Sequence, residues 1–384
     1  LERRQLLSGS IALGLAGCAH QTQPTLAPIR TSEDRLFDIT VCLRPFRAAG
    51  PRIEAERIND ALIIHNYGHG GSGWSLSWGS STLAVQLAME SSPADIAVVG
   101  CGALGITSAI LAQQAGARVT IYASELLPRT RSARATGSWT PDSRIALTTA
   151  AAPSFPALWE QMARTSFKTY RTYLGLPGTP VEWTDRYLLL DTTLDQMRAA
   201  RRARTGLSFA SYMHRIDDIT PNQTLIPRGT TPFTTPYVYR SESMQFNIAT
   251  YAHTLLSDFR LAGGRIVHRS FNTPAEIAAL PEKTIINCPG YGARALWKDD
   301  SITPVRGQIA WLIPQADVHY GLFYNDVSLL ARSDGIVVQA LDGGDMKGYG
   351  NDHETPDPAE ASRALASVAP AFSGFSRTSD VAFP

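Results

Sequence analysis

The stretch DIAVVGCGALG, Asp95 to Gly105, decides how this 384-residue chain is read. Asp95-Ile96-Ala97-Val98-Val99 is a short β-branched apolar run, the pattern of a parallel strand buried on both faces. Gly100 then permits a tight turn, Gly102 lets the backbone approach a pyrophosphate, and Gly105 lets the next helix pack closely on the strand. Ala103 and Leu104 open that helix, which continues from Ile106 to Ala115 and presents its first amides to the phosphates. Gly116 stops it, and Arg118 to Ala123 is the second strand. Ser124 and Glu125 follow, with Glu125 about 20 residues past Gly105, where a ribose-binding carboxylate is expected. Strand, turn, helix, strand and acid in register predict an α/β, Rossmann-type dinucleotide-binding segment. The turn alone leaves NAD and FAD both open.

Composition agrees with a folded enzyme. Apolar residues make up 44% and charged residues 18%, which supports a sizeable core rather than disorder. Lys+Arg and Asp+Glu number 35 and 34, so no charge excess points to nucleic acid. The first residues read differently. LERRQLLSGSIALGLAGC sets Arg3 and Arg4 before an apolar run shorter than the roughly 20 residues that span a bilayer, as an export signal does. Leu15-Ala16-Gly17-Cys18 resembles a bacterial lipobox, and Arg3-Arg4 a partial twin-arginine signal. The expectation is an exported, periplasmic protein with residues 1–17 as signal, 18–36 as linker, and membrane contact only through lipid on Cys18. An ordinary N-terminal helix is the alternative. Cys42, Cys101 and Cys288 remain; they show no metal-ligand spacing and give no disulfide framework.

A second glycine-rich stretch, HNYGHGGSGWS from His65 to Ser75, lies ahead of the dinucleotide turn. It is one of several segments that together resemble the D-amino acid oxidase family. The others are PRTRSARATGSWTP (128–141), IINCPG (285–290), TPVRGQ (303–308), and LRPFR (43–47) followed by PRIEAE (51–56). Cys42 and Pro289 depart from that family's usual glycine and hydroxyl residue, and QALDGGD (339–345) departs from its usual glycines. The family carries LRPFR, PRIEAE and the His65 loop near its C-terminus, in that order. Here they stand at the front, and the tail from Leu365 to Pro384 stops about where such a module would begin. The resemblance therefore implies a circularly permuted α/β fold, a Rossmann-type FAD-binding domain interleaved with a mixed-sheet substrate domain. Residues 37–92 would be the moved module, 93–150 and 261–310 the FAD-binding segments, and 151–260 and 311–384 mostly substrate domain.

The same resemblance implies the cofactor and its contacts. FAD would be held by Gly100, Gly102, Ala103, Leu104, Gly105, Ser124 and Glu125, and by Thr130, Arg131, Ser132, Gly137, Ser138 and Trp139 in the loop. Phe271 and Gly290 would follow, with Gly70, Gly73, Trp74 and Ser75 against the flavin ring. Glycines permit a backbone to lie where side chains would clash. An amphipathic helix from Trp74 to Met89 would aim its N-terminus at the ring edge where charge develops on reduction. Arg44 is implied as the bidentate anchor of a substrate α-carboxylate, for which a planar guanidinium is suited. The Gly71 carbonyl would accept from the substrate amine, and Tyr237, ahead of Tyr239, would supplement Arg44. His65 and His69 are read as structural donors, since no nucleophile or metal-like triad surrounds them.

The implied reaction is oxidation of a D-amino acid with a neutral side chain. Hydride passes from Cα to the flavin, and the imino acid hydrolyses to a keto acid and ammonia. Molecular oxygen is the expected acceptor, giving hydrogen peroxide. A quinone-linked dehydrogenase, a glycine or sarcosine-type amine oxidase, an oxidase of acidic D-amino acids, and a silent FAD-bound sensor remain alternatives. Elsewhere, helices are predicted at 154–174 and 193–204, and strands at 186–191, 264–271 and 335–339. A Pro- and Thr-rich loop at 220–237 is predicted to cover the site.

Overall fold

The computed structural model describes residues 26–203, 206–342 and 344–375, so the expected export signal and Cys18 lie outside the described residues. Two sheets organise the chain. One is built from β2 (Arg52–Ile58), β3 (Ala61–Tyr67), β4 (Asp95–Val99), β5 (Arg118–Ala123), β9 (Arg265–His268) and β10 (Thr284–Asn287). Its order is β2-β3-β10-β4-β5-β9, parallel throughout except for the β2–β3 hairpin. The other contains β1 (Leu36–Arg47), β6 (Val181–Leu190), β7 (Thr224–Ile226), β8 (Tyr237–Phe246), β11 (Ile302–Leu312), β12 (Tyr320–Tyr324), β13 (Val327–Arg332) and β14 (Gly335–Ala340). Its order is β1-β11-β14-β13-β12-β6-β8-β7, and the parallel β12–β6 pair makes it mixed.

The dinucleotide turn folds as its sequence predicts: β4 feeds α2 (Ala103–Gln114), and β5 lies beside β4 in parallel. Strand β10 takes the place between β4 and β3, so residues 61–67 and 284–287 complete the sheet that residue 95 begins. One sheet face, through Ile64, Val98, Ile121 and Ile286, packs in the core cluster that holds α1 (Gly73–Met89), α2, α3 (Phe155–Tyr170) and α5 (Ile248–Leu261). The opposite face, through Ile63, Ala97 and Ile285, is covered by the short α6 (Pro274–Ala278) and Leu280. Two other helices, α4 (Leu194–Arg202) and α7 (Ala293–Leu296), are peripheral, while α8 (Pro358–Val368) lies against the eight-stranded sheet.

Helix α1 corrects the amphipathic reading. Its residues from Trp74 to Ser81 are all buried, because the helix is enclosed by β3, α2 and α3. Its polar side chains are satisfied internally: the Ser80 hydroxyl donates to Asn66 Oδ1 at 2.6 Å, and the Ser81 and Thr107 hydroxyls meet at 2.8 Å. The segment 220–237 is also corrected. It supplies β7 to the outer edge of the eight-stranded sheet, at the end opposite β1, instead of a lid. After β11 the chain forms the hairpin β12–β13, followed by β14, which contains the strand predicted at 335–339.

The back of the eight-stranded sheet buries Leu189, Leu312, Leu322, Leu329 and Val338 under α8, together with Ile29 from the start of the described chain. Its front faces the six-stranded sheet's loops and leaves the cavity described below. Close packing around α1 offers a direct test. A Cβ on Gly79 would sit 2.2 Å from the Met162 carbonyl oxygen, a backbone atom that cannot swing away. Gly79→Ala gains about 1 kcal/mol of helix propensity but overpacks the α1–α3 contact, which costs about 1–3 kcal/mol or more. We expect a net loss of stability and a lowered thermal midpoint; an unchanged or raised midpoint would show that α3 yields freely.

Candidate active site

A cavity of about 380 Å³ runs between the two sheets. That volume lies in the range of small-molecule and cofactor sites. At one end lie Ser124, Glu125 and Phe271, beyond the tips of β5 and β9, with Arg269 stacked 4.8 Å from the Phe271 ring centre. The middle is the glycine turn. Gly100 has φ +99°, and a Cβ there would lie 2.3 Å from the Cys288 carbonyl oxygen; one on Gly105 would lie 2.1 Å from the Gly100 oxygen. Gly102, at the entrance to α2, faces the Ser132 hydroxyl, which accepts from the Ala103 amide at 3.0 Å. Leu104, Thr130 and Arg131 complete this part, and Gly290, with φ +57° and nothing within 4 Å of a Cβ, is open on its cavity side.

The other end is built from β1, the β3–α1 loop and the 137–140 segment. Gly137, with φ +89°, is held to β8 by the Phe246 amide donating to its carbonyl at 2.7 Å. The Trp74 indole donates to the Ser132 carbonyl at 2.8 Å, and the Thr140 amide donates to the Ser75 hydroxyl at 2.8 Å. Gly70, Gly71, Gly73 and Ser138 line the same wall. Arg44 projects from β1 and lies flat on Gly307, where a Cβ would be 2.3 Å from its Nη1. Its one hydrogen-bond acceptor among the described residues is the Arg306 carbonyl at 3.5 Å, and no carboxylate pairs with it. Desolvation at this depth lowers its pKa below the usual guanidinium value.

Three predicted site residues fall outside this lining. Gly105 acts through helix–strand packing. Trp139 turns its ring onto Phe167, 5.3 Å away, into the core. Tyr237 is the correction with most weight. It begins β8, while Phe246 at the far end of that strand lines the cavity. Nine residues of strand separate them, roughly 30 Å, and Tyr237 lies instead beneath the Arg228 guanidinium. Tyr239, two residues further along β8, is likewise absent from the cavity lining. Composition around 237–239 carries no register, so no local signal places either tyrosine.

The two histidines behave as structural groups. His65 donates from Nε2 to Glu56 at 2.8 Å, and its Nδ1 accepts from the Asn287 amide at 3.1 Å. His69 donates from Nε2 to the Ser80 hydroxyl at 2.7 Å. Burial favours the neutral imidazole in both and pushes His69 down to about 3. Residues that the sequence reading missed include Arg134, Arg144 and Arg332. Arg144 donates to the carbonyls of Gly344 and Asp345, and Arg332 donates to those of Ala135 and Thr136, so both fasten loops at the cavity rim. An arginine's reach across a sheet depends on strand order, which spacing alone does not give.

A family described as DAO, FAD dependent oxidoreductase, matches residues 95–382. The chain belongs to this family. A D-amino-acid oxidase of Streptomyces coelicolor is 28% identical over 60% of this chain and 63% of its own length. One from Rubrobacter xylanophilus is 28% identical over 55% of this chain and 57% of its own. The chain thus spans about three-fifths of the length of these relatives. Glycine oxidase from Geobacillus kaustophilus superposes with a TM-score of 0.46 at 14% identity, covering 64% of this chain and 70% of that one.

FAD, the cofactor of this family, suits the cavity on its own chemistry. The turn at Gly100 and Gly102 leaves a backbone cradle in front of the α2 amides, where a pyrophosphate is stabilised. The buried Thr130 Oγ1 and Arg131 Nε beside it have no partner among the described residues and are suited to meet polar oxygens. Among the described residues no cluster of metal-ligating side chains was found.

His69 makes the site sensitive to acid. Its pKa rises from about 3 in the fold to the usual 6.5 on unfolding, so the unfolded chain binds the extra proton. The corresponding stability is fully present above pH 6.5 and is lost as pH falls toward 3, about 2 kcal/mol of it by pH 5. Denaturant titrations at pH 7 and pH 5 should show a smaller difference in His69→Gln than in the parent protein. Equal differences would remove His69 as the cause.

Proposed function

We propose that the protein oxidises D-amino acids to imino acids, which hydrolyse to keto acids and ammonia, with oxygen reduced to hydrogen peroxide. The observation that carries this reading is Arg44, a recessed guanidinium without a carboxylate partner among the described residues, at the ring end of a dinucleotide-shaped cavity. The names of the two relatives above point to the same substrate class.

When bound, FAD accepts the two electrons and the hydrogen lost from the substrate Cα. The chain's own part is orientation. Arg44 holds the α-carboxylate in a fork of parallel hydrogen bonds, and its stacking on Gly307 fixes the plane of that fork. The Gly71 carbonyl would accept a hydrogen bond from the substrate amine, a second point that fixes the orientation of Cα. The substrate ammonium sheds its single excess proton to solvent, because the residues lining this end include Cys42, Arg44 and His69 but no carboxylate. His69 is held neutral, and its Nε2 proton is committed to Ser80. The N-terminus of α1, at Gly73 to Ser75, would stabilise negative charge on a flavin held against it.

Anaerobic mixing of the yellow protein with D- and L-amino acids tests the reading, since D-selective bleaching that air reverses with peroxide formation is expected. Arg44→Ala should lower kcat/KM by roughly 30- to 1,000-fold, mostly through KM, while flavin absorbance stays unchanged. Unchanged turnover would remove Arg44 from the substrate site.

We also propose that the order of segments is a circular permutation and that residues 1–17 are an export signal followed by a lipid anchor at Cys18. The family match begins at β4, yet β1 and β3 pair inside the two sheets. Leu26, Ala27 and Ile29 pack in one cluster with Val368, Ala371, Phe372 and Phe375. A chain rebuilt to run 95–375, a short linker, then 26–94 should take up FAD with the same spectrum. Failure of that chain to bind flavin, with linkers of several lengths, would argue against permutation.

A further inference from the structure

Arg186 belongs to none of the roles above. It sits on β6 with its side chain laid across Gly321 of β12, where a Cβ would be 2.7 Å from its Cδ and Nε. Nη1 donates to the Ser138 hydroxyl at 3.1 Å and Nη2 to that of Ser328 at 3.4 Å. A guanidinium has five donors; no carboxylate among the described residues pairs with this one. Burial pushes its pKa down to about 10 with no opposing charge nearby. Ser138 lines the main cavity, so the guanidinium lies one hydrogen bond behind its wall.

The register shows which way Arg186 points. Paired residues in neighbouring strands share a sheet face, and alternate residues along a strand share it too. Arg186 pairs with Gly321, Gly321 with Leu330, Leu330 with Val337, and Val337 with Trp311. Two-residue steps along β11 lead from Trp311 to Val305, whose partner on β1 is Arg44. Arg44 and Arg186 therefore project from one face of the eight-stranded sheet, the face toward the cavity. Arg44 leans inward over β11, and Arg186 leans inward over β12 to reach Ser328 on β13. Their ends are two to three strand spacings apart across the sheet and one residue pair apart along it, roughly 12–16 Å. Between them lie Ile309, Gln339 and Leu330.

Resting on the proposed D-amino acid oxidation, we infer that Arg186 is a specificity-determining residue that binds a side-chain carboxylate, making the preferred substrate a dicarboxylic D-amino acid such as D-aspartate or D-glutamate. The α-carboxylate takes Arg44 and the second carboxylate takes Arg186, so each recessed cation meets one anion. A neutral side chain, the expectation from sequence, would leave Arg186 desolvated and unpaired beside the substrate, a costly arrangement. Arg144 is not the second anchor, because its guanidinium is taken up by the carbonyls of Gly344 and Asp345.

The flavin-loaded protein is assayed with D-aspartate, D-glutamate, D-alanine and D-leucine, alongside Arg186→Gln and Arg186→Lys. The parent should favour an acidic substrate in kcat/KM. Arg186→Gln should lose roughly 10- to 100-fold on acidic substrates through KM, change little on neutral ones, and be partly rescued in Arg186→Lys. Preference for neutral substrates, or equal loss on all four, overturns the inference and leaves the oxidase reading intact. If no D-amino acid is oxidised, the oxidase reading falls, and titration of the holoprotein with succinate and butyrate, followed by the flavin spectrum, decides Arg186. Succinate binding at least tenfold tighter than butyrate, with the margin lost in Arg186→Gln, supports the second anion site; equal binding overturns it.

Discussion

The site depends on a close backbone contact between three segments far apart in sequence. Gly70 donates its amide to the Pro45 carbonyl at 2.9 Å, and Gly71 donates to the Ser143 carbonyl at 2.9 Å. A Cβ on Gly70 would lie 2.0 Å from the Arg144 carbonyl oxygen, and Gly70 has φ +56°, so a side chain is excluded both by contact and by backbone. This junction joins the β3–α1 loop to β1 and to the end of the 137–144 segment. It also fixes two directions at once, that of Arg44 next to Pro45 and that of α1 starting at Gly73. The need for glycine at 70 and 71 is thus met by protein backbone, in addition to any ring lying against Gly73.

Much of the nucleotide half was legible because its signals are local. The β4 turn, α2 and β5 each need only a few consecutive residues of the right type, and they fold where DIAVVGCGALG and RVTIYA place them. The eight-stranded sheet was less legible. β12, β13 and β14 lie side by side, yet β6 enters beside β12 from a segment more than a hundred residues earlier. Its position along the sheet edge is set by tertiary packing, and no short pattern encodes it. Tyr237 failed for that reason, since a tyrosine at the start of a strand is useful only if that end of the strand reaches the site. Arg186 escaped notice for the same reason: in TDRYLLL it is one charge in a strand, and only the pairing with Gly321 shows where it leads.

Electrostatics ties the two halves together. The chain as a whole carries a formal charge of +1, which hides how its arginines are arranged. Arg332 pairs with Asp334 and Arg306 with Glu360, so these recessed cations are neutralised within the protein. Arg44 and Arg186 have no carboxylate partner among the described residues, and each lies across a strand glycine with only hydroxyl or carbonyl oxygens accepting from it. Desolvating a cation without a counter-ion is costly, and the fold carries that cost at two points on one sheet face. Such an arrangement destabilises the empty site and favours anions in it.

The same geometry explains why residues 26–94 cannot be an accessory domain. β1 pairs with β11 along its whole length, and β3 fills the place between β2 and β10. Without them β10 and β11 would each present an unpaired edge, and α1 would leave a void against α2 and α3. The later residues supply a dinucleotide cradle, which many flavoproteins need. The earlier ones supply Arg44, Gly71 and the start of α1, which line the other end of the same cavity. The cavity therefore requires both segments to close on it, whichever comes first in the chain.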